Sequence, residues 1–364
     1  MSLIHQLALV RIKGVGSIVA KHLLDYCGSP EEIFRTPKKQ LLKIPGVGEY
    51  VATSIVQHNV MEEVEKEIAF IEKHKIDVLF WKSENYPEKL ITCNDAPVIL
   101  YYKGNAALNT KRVISIVGTR NATNYGKGIC EEFIAELAGH DVLIVSGLAY
   151  GIDSYAHKVC VKNNIPTIGV LGHGLDRIYP ASNRNLALDM LRHGGLLTEY
   201  SSGTKPDRQN FPSRNRIIAG IADVTIVVEA ALKGGALITA EIANTYNRDV
   251  CAFPGDIHKP YSNGCNYLIK TNRAHLISSV KDLEYIMNWE LSNTVVHNRQ
   301  LGLDLAMSAV EKSVCEVLQE TGPIGIDALL YRLKLPQNKL AIILLELEMK
   351  GGIIALPGKV YRLP

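Results

Sequence analysis

The spacing of apolar residues divides the 364-residue chain into unlike stretches. Over residues 1–62 apolar positions recur at helical intervals, and the helices are interrupted twice by one signature: Ile12-Lys13-Gly14-Val15-Gly16 returns 32 positions later as Ile44-Pro45-Gly46-Val47-Gly48. From Lys66 to Lys103 helical regularity is lost. Strand-like pieces at Val78–Trp81 and Val98–Tyr102 predict a lead-in segment over residues 63–110 that packs on the next domain. From Lys111 the pattern changes again. Near-continuous apolar runs at Val113–Val117, Val142–Val145, Thr167–Leu171, Leu196–Thr198, Val224–Val228 and Val250–Phe253 alternate with amphipathic stretches such as Gly126–Leu137, Asp153–Lys162 and Ala236–Tyr246. Such runs are strands buried on both faces. Their alternation with helices predicts an α/β domain over residues 111–288, an extended Rossmann-like, doubly wound parallel sheet. A polar stretch at 289–307 reads as a linker. Beyond it three helical patterns, Ser308–Thr321, Ile326–Leu333 and Pro336–Lys350, precede two short strands around Pro357-Gly358, the outline of a winged helix over residues 308–364.

In a doubly wound sheet ligands bind beyond the carboxyl ends of the strands. Those ends carry the informative residues here. Gly118-Thr119-Arg120 follows the first strand, Ser146-Gly147 with Gly151 and Asp153 the second, and Gly172-His173-Gly174 with Asn183-Arg184-Asn185 the third. Glu229 with Lys233-Gly234-Gly235 follows the fifth, and Pro254-Gly255-Asp256 the sixth. Glycine permits sharp turns and close approach of a ligand, and the helix starts that follow offer unpaired N–H groups to an anion. After the fourth strand comes GTKPDRQNFPSRNRIIAG, residues 203–220, in which Lys205, Arg208, Arg214 and Arg216 stand against the single acid Asp207, with Phe211 among them. Bases interleaved with an aromatic suit a phosphate backbone and a base to stack on. The competing reading is a solvated loop whose Phe211 tucks into the core. At the amino-terminal end, the repeated Gly-x-Gly turn matches the helix-hairpin-helix motif, whose N–H groups face a DNA phosphate. Such turns serve equally as packing devices between helices.

Charge and cysteine usage narrow the picture. The chain carries 40 Lys plus Arg against 37 Asp plus Glu, so any electrostatic function is concentrated in a local patch and no basic coat exists. The seven cysteines are scattered and never spaced C-x-x-C, which argues against a disulfide framework and a zinc site and fits reduced thiols. No cofactor or metal is expected. No apolar run approaches the roughly 18 residues that span a bilayer, and the amino end lacks the marks of a leader, so a soluble cytoplasmic protein without a membrane partner is expected. Acids and bases balance in the winged-helix stretch, with Glu346 and Glu348 on its third helix, which favours protein contact over base reading there.

Six stretches, IVGTRNATNYG (116–126), SGLAYGIDSYAH (146–157), GVLGHGLDRIYPASNRNL (169–186), FPSRNRIIAG (211–220), VVEAALKGGALITAEIA (227–243) and PGDIHKPYSNGCNYLI (254–269), together resemble the DprA/Smf family of DNA-processing proteins. The amino-terminal helical unit and the winged helix resemble accessory domains of many members. The resemblance implies a dimeric, non-enzymatic protein that binds single-stranded DNA in the sheet domain, protects it, and loads RecA recombinase onto it during natural transformation. Carried over by motif, the DNA contacts are Arg120, Ser146, Gly147, Arg184, Phe211, Arg214, Asn215 and Arg216. Lys205 is added from local charge. Two departures from the family pattern are Gly234, where a serine is frequent, and Arg273-Ala274, where Gly-Ala is frequent.

Other readings compete for the same residues. Arg214 or Arg216 can instead be structural, paired with Glu229 or Asp223. Asp153, Ser146 and His157 invite a hydrolase reading, although the G-x-S-x-G elbow is absent. A dinucleotide-dependent oxidoreductase is opposed by the first turn, which is not G-x-G-x-x-G. The stronger rival is a phosphoribohydrolase-like enzyme, in which Gly234-Gly235 leads to Thr239 and Glu241 as an acid/base group.

Overall fold

The computed structural model describes residues 2–289 and 307–364, so the predicted linker lies outside the described residues except at its two ends. It forms two compact units, Met1–Ala274 and His275–Pro364. The first is built on strands β1 (Asp77–Phe80), β2 (Ile99–Gly104), β3 (Arg112–Val117), β4 (Val142–Ser146), β5 (Thr167–Val170), β6 (Gly195–Thr198), β7 (Val224–Val227) and β8 (Asp249–Ala252). Across this unit they lie in the order β1-β2-β6-β5-β4-β3-β7-β8. The six strands from β3 to β8 pair in parallel, and every position of β4 is buried, as its unbroken apolar run requires.

The lead-in segment departs from its sequence reading in two ways. It contributes β1 and β2 to the sheet, β1 antiparallel to β2 and β2 antiparallel to β6, with Tyr101 opposite Thr198, so the sheet is mixed. Its beginning is also helical, from Met61 to His74. Val64, Glu67 and Ile71 form the buried stripe of that helix. A carboxylate at one of the stripe positions hid the period.

The amino-terminal helices Leu3–Arg11, Ser17–Cys27, Pro30–Arg35, Lys38–Leu41 and Glu49–Val56 contain the repeat. Gly14 and Gly46 take left-handed φ values of +84° and +81° at equivalent places, which accounts for glycine in both copies. Leu7, Leu23 and Ile55 of these helices join the same continuous core as Val113, Ile168 and Val227 of the sheet.

Chain order reverses at β3, which lies between β4 and β7. From β3 the chain steps outward through β4 and β5 to β6, then returns by helix Asn210–Ile221 to β7 on the other side. The β3/β7 crevice is therefore the switch point.

The second unit opens with the two-residue strand β9 (His275–Leu276) and helix Val280–Met287. Helices Ala309–Thr321, Ile326–Leu333 and Gln337–Met349 then pack with β10 (Ile324–Gly325), β11 (Ile354–Leu356) and β12 (Val360–Arg362), paired in the order β10-β12-β11. Val314, Leu329, Leu340 and Leu347 form its own core. This is the winged helix expected from the sequence. Among the described residues, no helix is long and apolar enough to cross a membrane.

Candidate nucleic-acid interface

A carboxylate from the end of β7 sets the turn after β3. Glu229 is buried and accepts from the Thr123 N–H at 2.9 Å and the Thr123 hydroxyl at 2.6 Å, while its carbonyl accepts from the Thr119 N–H at 2.7 Å. The same Thr123 hydroxyl caps helix Asn124–Glu136. A Cβ on Gly126 would lie 2.2 Å from Glu229 Oε2, so only glycine fits. The switch-point crevice, where a dinucleotide-binding sheet holds a pyrophosphate, is thus filled by a negative charge. That geometry opposes the oxidoreductase reading. It leaves Arg120 exposed on the turn.

The turn after β4 is built over Arg214. Its guanidinium, in a residue only 4% exposed, donates to the Gly147 carbonyl at 2.6 Å and to the Val170 carbonyl. A Cβ on Gly147 would meet Arg214 Nη2 and Asp153 Oδ2 at 2.7 Å each, which brings cation, carboxylate and turn together. Burial pushes the Asp153 carboxyl up and the Arg214 guanidinium down to about 10, each opposed by the charge of the other. Ser146, fully buried, donates to the Ile116 carbonyl at 2.6 Å, and buried Asn215 donates to the Gly235 carbonyl at 3.4 Å. Arg216 pairs with Glu199, each largely buried.

The motif residues differ in their exposure. The side chains of Ser146, Arg214 and Asn215 are buried, that of Arg216 is tied to Glu199, and Gly147 takes part through its backbone carbonyl, so these residues hold the edge together. Helix Asn210–Ile221 covers the sheet, and whatever occupies its inner face is buried with it. The partners also differ from those expected. Glu229 serves Thr123, and Asp223 accepts from the Val113 N–H at 2.7 Å and pairs with Lys89 at 3.1 Å. Nor do Ser146 and His157 form a nucleophile–base pair: His157 Nδ1 bonds to Thr167 Oγ1 at 2.7 Å, and burial drives the imidazole down to about 3, leaving it neutral.

Exposed on this edge are Arg120, Arg184, Lys205 and Arg208, which take part in no ion pair among the described residues. The half-buried ring of Phe211 lies 5.8 Å from that of Tyr179, tilted by 32°, and the Arg120 guanidinium stands 5.9 Å from the Phe211 ring centre. Phe211 is seated against Gly172, where a Cβ would come within 3.1 Å of its Cδ1. Tyr179, 49% exposed, is not singled out by the sequence; its one signal is an aromatic beside Pro180 in a loop at the ligand edge. Among the described residues no cluster of three His, Cys, Asp or Glu side chains is placed to hold a metal ion.

Residues 77–288 match the family model of DNA recombination-mediator protein A, residues 304–359 the DprA winged helix domain, and residues 7–58 a SAM-like helix-hairpin-helix tandem. Protein Smf of Synechocystis sp. is 31% identical over 98% of this chain and 97% of its own length. The chain belongs to the DprA/Smf family. A DprA/Smf structure, the X-ray structure of DNA processing protein A from Streptococcus pneumoniae, matches with a TM-score of 0.66 at 32% identity, covering 81% of this chain and 99% of that one. Another, DNA processing protein A from Helicobacter pylori, described for its unique single-stranded DNA binding mode, matches with a TM-score of 0.53 at 30% identity over 57% of this chain and 94% of that one. Both departures from the DprA/Smf pattern have simple surroundings. Gly234 precedes helix Gly235–Thr245 in extended backbone with open space around it, so a serine would fit. Arg273 pairs at 2.5 Å with Glu241 on the surface, so the extra base is neutralised by the very carboxylate the phosphoribohydrolase reading needs.

Proposed function

We propose that the carboxyl edge of the sheet binds single-stranded DNA, and that the protein acts as a recombination mediator in natural transformation. The observation that carries this reading is the set of four exposed, unpaired cations, Arg120, Arg184, Lys205 and Arg208, on the edge that also presents the Phe211–Tyr179 aromatic pair. Cations take phosphates, and aromatic faces take bases that a duplex keeps stacked away. The Helicobacter pylori relative supports the choice of ligand. Binding here needs no chemistry from the protein. Protection of incoming DNA, its delivery to RecA recombinase, a cytoplasmic setting and a homodimeric state complete the reading and rest on family kinship.

The winged helix fits a protein partner better than DNA. Ile342, Leu345 and Met349 lie exposed on its third helix beside Glu346 and Glu348, an apolar stripe with acids that repel phosphate.

Fluorescence anisotropy with single-stranded and duplex oligonucleotides of one sequence tests the ligand. Tighter binding of the single strand is expected; equal or tighter binding of duplex contradicts the reading. A parallel assay for base release from nucleoside monophosphates addresses the enzyme rival, which gains if activity appears and Glu241→Gln abolishes it.

A further inference from the structure

The helix Met61–His74 buries a carboxylate whose purpose neither the sheet nor the family motifs explain. Glu67 is 4% exposed. An uncompensated charge at such a depth is costly, so its partners define what it does. Its Oε1 accepts from the Ser202 N–H at 2.9 Å, and its Oε2 accepts from the Ser202 hydroxyl at 2.5 Å and from Arg11 Nη2 at 3.1 Å. Ser202 lies in the loop that leads from β6 into Lys205, Arg208 and helix Asn210–Ile221. Arg11 closes helix Leu3–Arg11, directly before the first turn of the amino-terminal repeat.

The rest of the loop is fixed just as closely. Gly203, at a left-handed φ of +82°, donates its N–H to Asp176 Oδ1 at 3.0 Å. The Thr204 carbonyl accepts from the Gly174 N–H at 3.2 Å. Three successive residues before Lys205 are thus held, two of them by carboxylates reaching in from other elements. Lys205 and Arg208 start from a positioned backbone and not from a free coil.

We infer that Glu67 is a positioning residue for the DNA edge: its carboxylate holds the loop carrying Lys205 and fastens that loop to the helical repeat unit through Arg11. The inference rests on the single-strand reading of the edge and adds to it a residue some 140 positions upstream in sequence that touches no DNA. Removing the carboxylate orphans both Ser202 donors and frees the loop, so ordering it becomes part of the cost of binding.

The test compares Glu67→Ala, Ser202→Ala, Lys205→Ala and the double variant Glu67→Ala/Lys205→Ala in the full chain. Thermal melts first show whether each variant folds; Ser202→Ala removes only one bond and carries the test if Glu67→Ala does not fold. Glu67→Ala is expected to weaken single-strand affinity roughly ten-fold and to lower the salt slope by about 0.7, the share of one phosphate. The double variant should lose less than the sum of the two single losses. Additive losses or an unchanged slope overturn the inference. Amide exchange at Ser202 and Gly203 separates it from the DNA reading. Faster exchange in Glu67→Ala supports the clamp even if the wild type fails to bind DNA, and unchanged exchange sinks it whatever the DNA result.

Discussion

Two arginines of the motif set, Arg120 and Arg214, have opposite surroundings, and their substitutions separate scaffold from surface. Arg214→Ala leaves Asp153 buried without its neighbouring cation and takes one donor from each of two carbonyls. The expected cost is about 3–5 kcal/mol of unfolding free energy, read from the urea midpoint. Arg120→Ala should change stability by less than about 0.5 kcal/mol, yet weaken single-strand binding. Equal effects on stability would return both residues to one role. His157 gives a further residue-scale prediction. Its folded value near 3 lies below the ordinary 6.5, so between these limits the unfolded chain takes up a proton that the folded chain refuses. Stability therefore falls as pH drops below about 6.5, at no more than about 1.4 kcal/mol per pH unit. Asp153, Glu199 and Asp223, raised by burial, act in the opposite sense. Comparison with His157→Asn isolates the histidine: the wild type should lose about 2 kcal/mol more than the variant between pH 7 and pH 5. Parallel curves would exclude the buried neutral imidazole.

At the level of elements, the two turns that carry Arg120 and Gly147 are locked backbone to backbone. Gly151, at φ +82°, starts helix Ile152–Lys162 so close to the first turn that a Cβ would sit 2.1 Å from the Thr119 carbonyl oxygen, and the Ile152 N–H donates to that same oxygen at 3.1 Å. Gly151→Ala should therefore cost at least about 1–3 kcal/mol in thermal unfolding and weaken DNA binding by displacing Arg120. A stable variant with full affinity would contradict the coupling. The same elements show what was legible in the sequence. Strands β3 to β8 announced themselves because strands buried on both faces carry few polar positions, and those inside the runs, Ser115 and Thr225, are small and bond to each other at 2.8 Å. Helix Met61–His74 did not, because Glu67 stands in its buried stripe. Arg214, Ile217, Ile218 and Ile221 follow the i, i+3, i+4, i+7 spacing of a buried helical face. That spacing is present in the sequence, but the density of bases around it pointed outward. Distinguishing a base that faces phosphate from one that faces Asp153 required the positions of two turns distant in sequence.

Across the whole molecule, a formal net charge of only +3 leaves attraction for a polyanion to the local edge. The helical repeat unit shares its core with the sheet, and its Arg11 reaches Glu67, so the amino-terminal helices bear on the DNA edge without the repeat itself having to touch DNA. The winged helix has its own core and an apolar, acidic third helix. On the proposed reading, Arg120, Arg184, Lys205 and Arg208 neutralise phosphates of the bound strand. Single-strand affinity measured across a salt series checks this neutralisation. If all four cations engage, the logarithm of the association constant should fall against the logarithm of salt with a slope near −3, about −0.7 for each phosphate, and Arg120→Ala or Lys205→Ala should each remove about 0.7 of it. A flat response, or a slope that survives both substitutions intact, would contradict the account.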